Sequence, residues 1–302
     1  MALIAFIGFG ELGAALAERL GHSGVHEMRA WTRERSDPAS AAALARRLRS
    51  AGVERCASLQ EALRGADAVL CVVPGTASRA LTKRSAAFLD EGALYVDLTA
   101  TPVADKEVGA EVVGLAGGRF VDAAVLGTVA VPAVTVPIVA SGRGAREWQE
   151  LARCEGLSVE TLDGPAGRAT QLKLLRSVYM KGRDALVVET LLAARRCGLE
   201  DRVIASIEGA AERVPFASLA DRVLRSLAIH AARRAAELRD SGDAVLATGV
   251  DPLLARAGAE VLRRVADAGL REELRGERPE SGADVLALLD ERMARAERPQ
   301  AD

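Results

Sequence analysis

The residues with the most specific chemistry are three glycines at fixed spacing, Gly8-Phe9-Gly10-Glu11-Leu12-Gly13. The apolar run Leu3-Ile4-Ala5-Phe6-Ile7 leads into them, and a helix-forming stretch, 14–20, leads out. A strand, a G-x-G-x-x-G turn and a helix in that order build a phosphate cradle. The first glycine permits the tight turn, and the second lets the backbone approach a pyrophosphate with no Cβ in between. The third lets the helix pack close to the strand, so that its N-terminal N–H groups face the phosphate. Gly8, Phe9, Gly10, Glu11, Leu12 and Gly13 are therefore expected to hold a dinucleotide. The lysines also stand out: among 40 basic residues only Lys83, Lys106, Lys173 and Lys181 are lysine. Each merits inspection, although genome composition would also produce such a bias.

The elements that must position these residues alternate through the first half. Strands are expected at 26–31, 68–73, 93–97 and 120–125, with helices at 38–50, 58–64 (Ser58 as N-cap), 76–89 and 104–116. The runs 134–140 and 157–162 extend the same sheet around a helix at 145–154. The continuous apolar run Ala68-Val69-Leu70-Cys71-Val72-Val73 suits a strand buried on both faces. Strands alternating with helices predict a parallel, doubly wound α/β sheet of Rossmann type. After Gly164-Pro165-Ala166-Gly167 the apolar spacing turns helical, over 169–196, 201–212, 218–240, 251–268 and 283–296. The expected organisation is a dinucleotide-binding domain over 1–164 and an all-helical substrate and dimerisation domain over 165–302.

Composition narrows the function. A chain of 302 residues suits two domains, each with its own core. The net charge of −2 argues against a nucleic-acid or strongly basic membrane-binding face. Cys56, Cys71, Cys154 and Cys197 lie far apart, and with His22, His26 and His230 they make no metal-ligand spacing. No run approaches the roughly 18 apolar residues of a membrane span, and the N-terminus reads as a strand without the cationic region of a signal peptide. We expect reduced thiols, no metal and a cytoplasmic location.

An NAD-specific fold of this kind carries an acid about 20 residues past the glycines, where it accepts from the ribose 2′-OH. Here the second strand runs out as Ala30-Trp31-Thr32-Arg33-Glu34-Arg35. With no acid at the tip, Thr32, Arg33 and Arg35 are expected to receive a 2′-phosphate. NADP is the expected cofactor. The alternative is NAD, with Glu34 on the ribose and the arginines solvated. Val73 and Pro74, at the carboxyl end of the strand 68–73, should border the cofactor path.

Three further segments, with the N-terminal turn, resemble the β-hydroxyacid dehydrogenase superfamily, which includes 3-hydroxyisobutyrate and 6-phosphogluconate dehydrogenases. Asp97-Leu98-Thr99-Ala100-Thr101-Pro102 is similar to its D-x-S-x-x-P segment. Asp122-Ala123-Ala124-Val125-Leu126-Gly127-Thr128 stands where the family has D-A-P-V-S-G-G. Gly167-Arg168-Ala169-Thr170-Gln171-Leu172-Lys173 resembles its G-x-G-x-x-x-K. The family's catalytic lysine thus falls on Lys173, and Thr99, Thr101 and Gly127 would line the substrate and nicotinamide side. An ammonium there can donate a hydrogen bond and then a proton to the oxygen that gains charge during hydride transfer.

Leu126 replaces the family's substrate-binding serine, Thr128 its second glycine, and Ser177 the asparagine four residues past the lysine. This pattern looks like a bacterial branch with a divergent helical domain. Arg176 lies three residues past Lys173, on the same helix face; it is either a replacement anion clamp or a solvated arginine. His230, Arg233 and Arg234 can share a face, as an anionic pocket wall with a titratable donor or as a buried histidine with surface arginines.

The resemblance implies an NADP-dependent oxidoreductase interconverting a small hydroxy acid, or related anionic alcohol, and its semialdehyde or keto form. It also implies a homodimer through the helical domain. Two alternatives stand beside it. Imine reductases share the architecture but typically carry an acid or tyrosine where Lys173 sits, and an NADP-binding sensor would have no turnover.

Overall fold

The computed structural model describes residues 1–33, 36–127, 137–210, 215–277 and 279–296. The chain divides into two compact units, 1–178 and 179–302.

The first unit is built on an eight-stranded sheet. In chain order its elements are β1 (Leu3–Ile7), α1 (Glu11–Leu20), β2 (Glu27–Trp31), α2 (Pro38–Ser50), β3 (Glu54–Arg55), α3 (Leu59–Leu63), β4 (Ala68–Cys71) and α4 (Gly75–Ala86). They continue with β5 (Leu94–Asp97), α5 (Val103–Leu115), β6 (Arg119–Val125), β7 (Ile138–Ser141), α6 (Ala145–Cys154) and β8 (Val159–Thr161), and then the start of α7 (Arg168–Arg196). The strand order is β3-β2-β1-β4-β5-β6-β7-β8. From β3 to β6 all pairs are parallel, the doubly wound arrangement in which ligands bind where the winding reverses, between β1 and β4.

Both faces of the sheet are covered, so β4, β5 and β7 are buried along their whole length. Along β1 the side chains alternate between two cores. Ile4 and Phe6 join Leu16, Leu44, Leu48 and Trp148 from α1, α2 and α6. Ala5 and Ile7 join Leu59 and Leu63 of α3 and Val113 of α5. Ser58 caps α3 in a reciprocal capping box with Glu61.

Two features depart from the sequence expectation. β3 is two exposed residues with no apolar signal to announce it. β7 runs antiparallel to β6, and β8 then pairs parallel to β7. Residues 134–136 of the expected strand lie outside the described residues.

The second unit is helical: the remainder of α7, then α8 (Glu200–Ala210), α9 (Phe216–Ala247), α10 (Leu253–Asp267), α11 (Leu270–Glu273) and α12 (Gly282–Ala296). Small buried residues on α9, namely Ala228, Ala231, Ala235 and Gly242, let neighbouring helices approach. Ala228 packs with Leu270, Val285 and Leu289. Glu189 of α7 caps α10, accepting from the backbone N–H groups of Leu254 (2.8 Å) and Ala255 (3.0 Å). The unit division falls within α7, a helix of 29 residues.

Candidate dinucleotide-binding site

The carboxyl ends of β1, β2, β4 and β5 open onto a cavity of about 790 Å³ in the first unit. Its floor is the turn from Gly8 to Leu12. Trp31, Thr32 and Arg33 close it beyond β2, Val72 to Ala77 beyond β4, and Leu98 to Ala100 beyond β5. A second cavity of about 590 Å³ is lined by Trp31, Thr32, Arg33, Arg55, Cys56 and Ala57. Of the residues expected to hold the cofactor, Gly8, Phe9, Gly10, Glu11, Leu12, Thr32, Arg33, Val73, Pro74 and Thr99 all line the larger cavity. Gly13 lies behind it, where a Cβ would come 3.2 Å from Val72 Cγ2. Arg35 lies outside the described residues, as do Glu34 and Thr128.

Several observations fit a dinucleotide. Gly8 has φ +85°, and a Cβ there would stand 2.8 Å from Val73 Cγ1, so the tight turn admits no side chain. At Gly10 a Cβ would meet nothing within 4 Å. It would project into open space beside the α1 N-terminus, where a pyrophosphate must come close. Gly10 is also the N-cap of α1, so no side chain satisfies the first N–H groups of that helix. The Thr32 hydroxyl is buried with no partner in the wall of the cavity, as a group reserved for a ligand would be.

Residues 3–153 match the family described as the NAD binding domain of 6-phosphogluconate dehydrogenase. The chain belongs to the 6-phosphogluconate dehydrogenase-like family. Membership makes it an NAD(P)-dependent oxidoreductase acting on CH–OH groups, of hydroxyacid dehydrogenase-like type. Residues 194–265 match the domain of unknown function DUF1932.

Among solved structures, a conserved hypothetical protein from Sinorhizobium meliloti is 30% identical, with 97% of each chain covered and a TM-score of 0.60. The conserved protein MTH1747, described as structurally similar to 3-hydroxyacid dehydrogenases, is 31% identical. That match covers 89% of this chain and 98% of the other, with a TM-score of 0.59. An imine reductase from Aspergillus terreus, solved with NADPH4 and dibenz[c,e]azepine, shares the fold at 17% identity and a TM-score of 0.70, with 96% and 99% covered.

In this 6-phosphogluconate dehydrogenase-like chain the motif acids Asp97 and Asp122 sit opposite each other on adjacent strands. Both are buried, and the wholly buried Lys106 of α5 lies between them. Its Nζ is 3.1 Å from Asp97 Oδ1 and 3.6 Å from Asp122 Oδ1, and it donates to the Asp97 carbonyl at 2.9 Å. Asp97 Oδ1 also accepts from the Thr99 N–H (2.9 Å) and hydroxyl (2.6 Å), while its Oδ2 accepts from Ser78 (3.0 Å). Asp122 holds the start of α7: Oδ2 accepts from the N–H groups of Gly167 and Thr170, each at 2.9 Å, and Oδ1 from the Thr170 hydroxyl at 2.6 Å. The Ser141 hydroxyl, which accepts from the Ala169 N–H (3.1 Å), donates to Asp122 Oδ2 (3.3 Å).

Lys173 follows one turn later on α7, half-buried, with Arg176 exposed and Ser177 half-buried beyond it. Neither Lys173 nor the exposed Gly127 lines the 790 Å³ cavity. His230, Arg233 and Arg234 belong to the second unit, on α9. His230 is exposed there; Arg233 pairs with Glu237 (2.7 Å), and Arg234 donates to Ser226 (3.1 Å).

Sequence reasoning missed Arg84 and Arg55. Arg84 is on α4, and its guanidinium carbon lies 5.9 Å from the centre of the Trp31 ring in the cavity wall. No motif places a residue three turns into a crossover helix beside a strand tip. Among the described residues, no helix is long and apolar enough to cross a membrane.

Proposed function

We propose that the protein is an NADP-dependent oxidoreductase that interconverts a small hydroxy acid, or a related anionic alcohol, and its semialdehyde or keto form. The observation that carries this reading is the single cavity in which the glycine turn, the Thr32-Arg33 pair and Arg84 share one wall system. A bound nicotinamide supplies or accepts the hydride.

The chain's own residues do the rest. The turn from Gly8 to Leu12 and the first N–H groups of α1 hold the pyrophosphate. The Thr32 hydroxyl and the Arg33 and Arg84 guanidinium groups receive the 2′-phosphate, for which forked, permanently charged donors are suited. In the reduction Lys173 donates a proton to the substrate oxygen as charge builds there; in the oxidation its neutral amine takes that proton back. Thr99, Gly127, Arg176, Ser177, His230, Arg233 and Arg234 remain the candidates for substrate contact.

A homodimer through the helical region is part of the proposal. Leu174, Leu175, Val178, Leu186, Val187 and Val188 of α7 are exposed, a density of apolar surface on one helix that a partner would cover. A cytoplasmic location is supported by cysteines with no paired spacing, two of them buried thiols.

The test is NADPH oxidation across small anionic aldehydes, keto acids and cyclic imines. Consumption of anionic carbonyls is expected. Turnover of cyclic imines alone, or cofactor binding with no turnover, would overturn the reading.

A further inference from the structure

Two carboxylates stand in register on neighbouring strands, Asp97 on β5 and Asp122 on β6. Like charges placed opposite each other in a sheet repel, and burial would raise that cost further. Lys106 is what allows the arrangement, because its ammonium bridges them from α5. For stability alone, apolar residues of similar volume would serve as well or better than a buried charge cluster. The cluster's partners suggest another use. One acid holds Thr99, in the wall of the cofactor cavity. The other holds Gly167 and Thr170, the first turn of the helix that carries Lys173.

We propose that Lys106 is a positioning residue: by bridging Asp97 and Asp122 it fixes the Thr99 turn and the first turn of α7 in one arrangement, and thereby sets where Lys173 stands. The assignment rests on the proposed role of Lys173 for its effect on catalysis, but not for its effect on structure. Removing the ammonium leaves two facing carboxylates, which must separate or take up a proton. Either response weakens the acceptance of the Gly167 and Thr170 N–H groups and of the Thr99 hydroxyl together. Thr99 and the start of α7 are far apart in sequence, so a simultaneous loosening of both is the signature of the bridge.

The test is amide hydrogen exchange on the full chain, with and without NADPH, for wild type and Lys106→Met, together with steady-state kinetics well below the melting temperature. Exchange at Thr99, Gly167 and Thr170 should rise together by about tenfold or more, the scale of local opening, while strand β1 stays protected. With NADPH and the substrate found by the panel, kcat should fall by about tenfold to a hundredfold, as expected for a misplaced group. A purely structural lysine would lower the melting temperature and leave kcat intact. Where Lys173→Met is itself impaired, that result would overturn the proposal; unchanged exchange at α7 would overturn it in every case. Should Lys106→Met fail to fold, Lys106→Gln keeps a hydrogen-bond donor of similar length but removes the charge. It should raise exchange at Thr99, Gly167 and Thr170 together, and no joint rise would overturn the proposal equally. If Lys173→Met proves fully active, the exchange result still decides the bridge, so failure of the lysine mechanism and failure of the bridge are told apart.

Discussion

The Arg84 guanidinium lies 5.9 Å from the centre of the Trp31 ring, joining the α4 crossover helix to the tip of β2. The pair occupies the wall of the cofactor cavity, with Thr32 and Arg33 beside it. A cation over an indole face contributes about 0.5–1 kcal/mol at an exposed site, enough to hold the guanidinium near where an adenosine ribose would lie.

That placement bears on cofactor choice. Charge-assisted hydrogen bonds contribute about 1.5–3 kcal/mol each, so Arg33→Ala and Arg84→Met should each raise KM for NADPH by about tenfold or more. KM for NADH should change little, because NADH lacks the phosphate. Parallel measurement with both cofactors checks this; equal losses for the two would remove the arginines from the 2′-phosphate.

The glycine turn separates folding from binding. Gly10→Val places its side chain in open space, so the melting temperature should hold while NADPH affinity collapses. Gly8→Ala meets Val73 and a left-handed backbone, and should lower stability by about 1 kcal/mol or more. Thermal melts beside cofactor titrations distinguish the two. Full NADPH affinity in Gly10→Val would show that the pyrophosphate lies elsewhere.

Much of the first unit was legible in the residues. Apolar runs bounded by glycine turns located β1, β4, β5 and β6, and Ser58 as N-cap marked the start of α3. The cofactor wall could be read because the glycines, Thr32-Arg33, Val73-Pro74 and Thr99 all follow the carboxyl ends of strands, which chain order fixes. Arg84 was not legible, since its meeting with Trp31 depends on how α4 crosses the sheet. The Lys106 bridge was half-visible. The scarcity of lysine drew attention to it and motifs carried both acids, but only strand register puts Asp97 opposite Asp122. The direction of β7 was illegible because alternation along a strand is the same in parallel and antiparallel pairs.

The cysteines should divide by burial. Burial pushes the Cys71 thiol up to about 12, with the Asp97 charge adding to it, and burial raises Cys56 as well, helped by Glu61 and Glu54. A raised pKa means that the thiol, not the reactive thiolate, persists at neutral and mildly alkaline pH. Exposed Cys154 and Cys197 should therefore alkylate with iodoacetamide at pH 8 in the native protein, while Cys56 and Cys71 react only after unfolding. Peptide mapping checks this; rapid native labelling of Cys71 would contradict it.

The central claim is hydride transfer from NADPH to an anionic carbonyl with Lys173 as proton donor. It is tested most directly by comparing wild type and Lys173→Met on the best carbonyl substrate, with NADPH affinity measured in the same samples. The account predicts unchanged cofactor affinity and a kcat lower by roughly 10²-fold or more, the scale of lost acid–base catalysis. Equal turnover by the two proteins would contradict it.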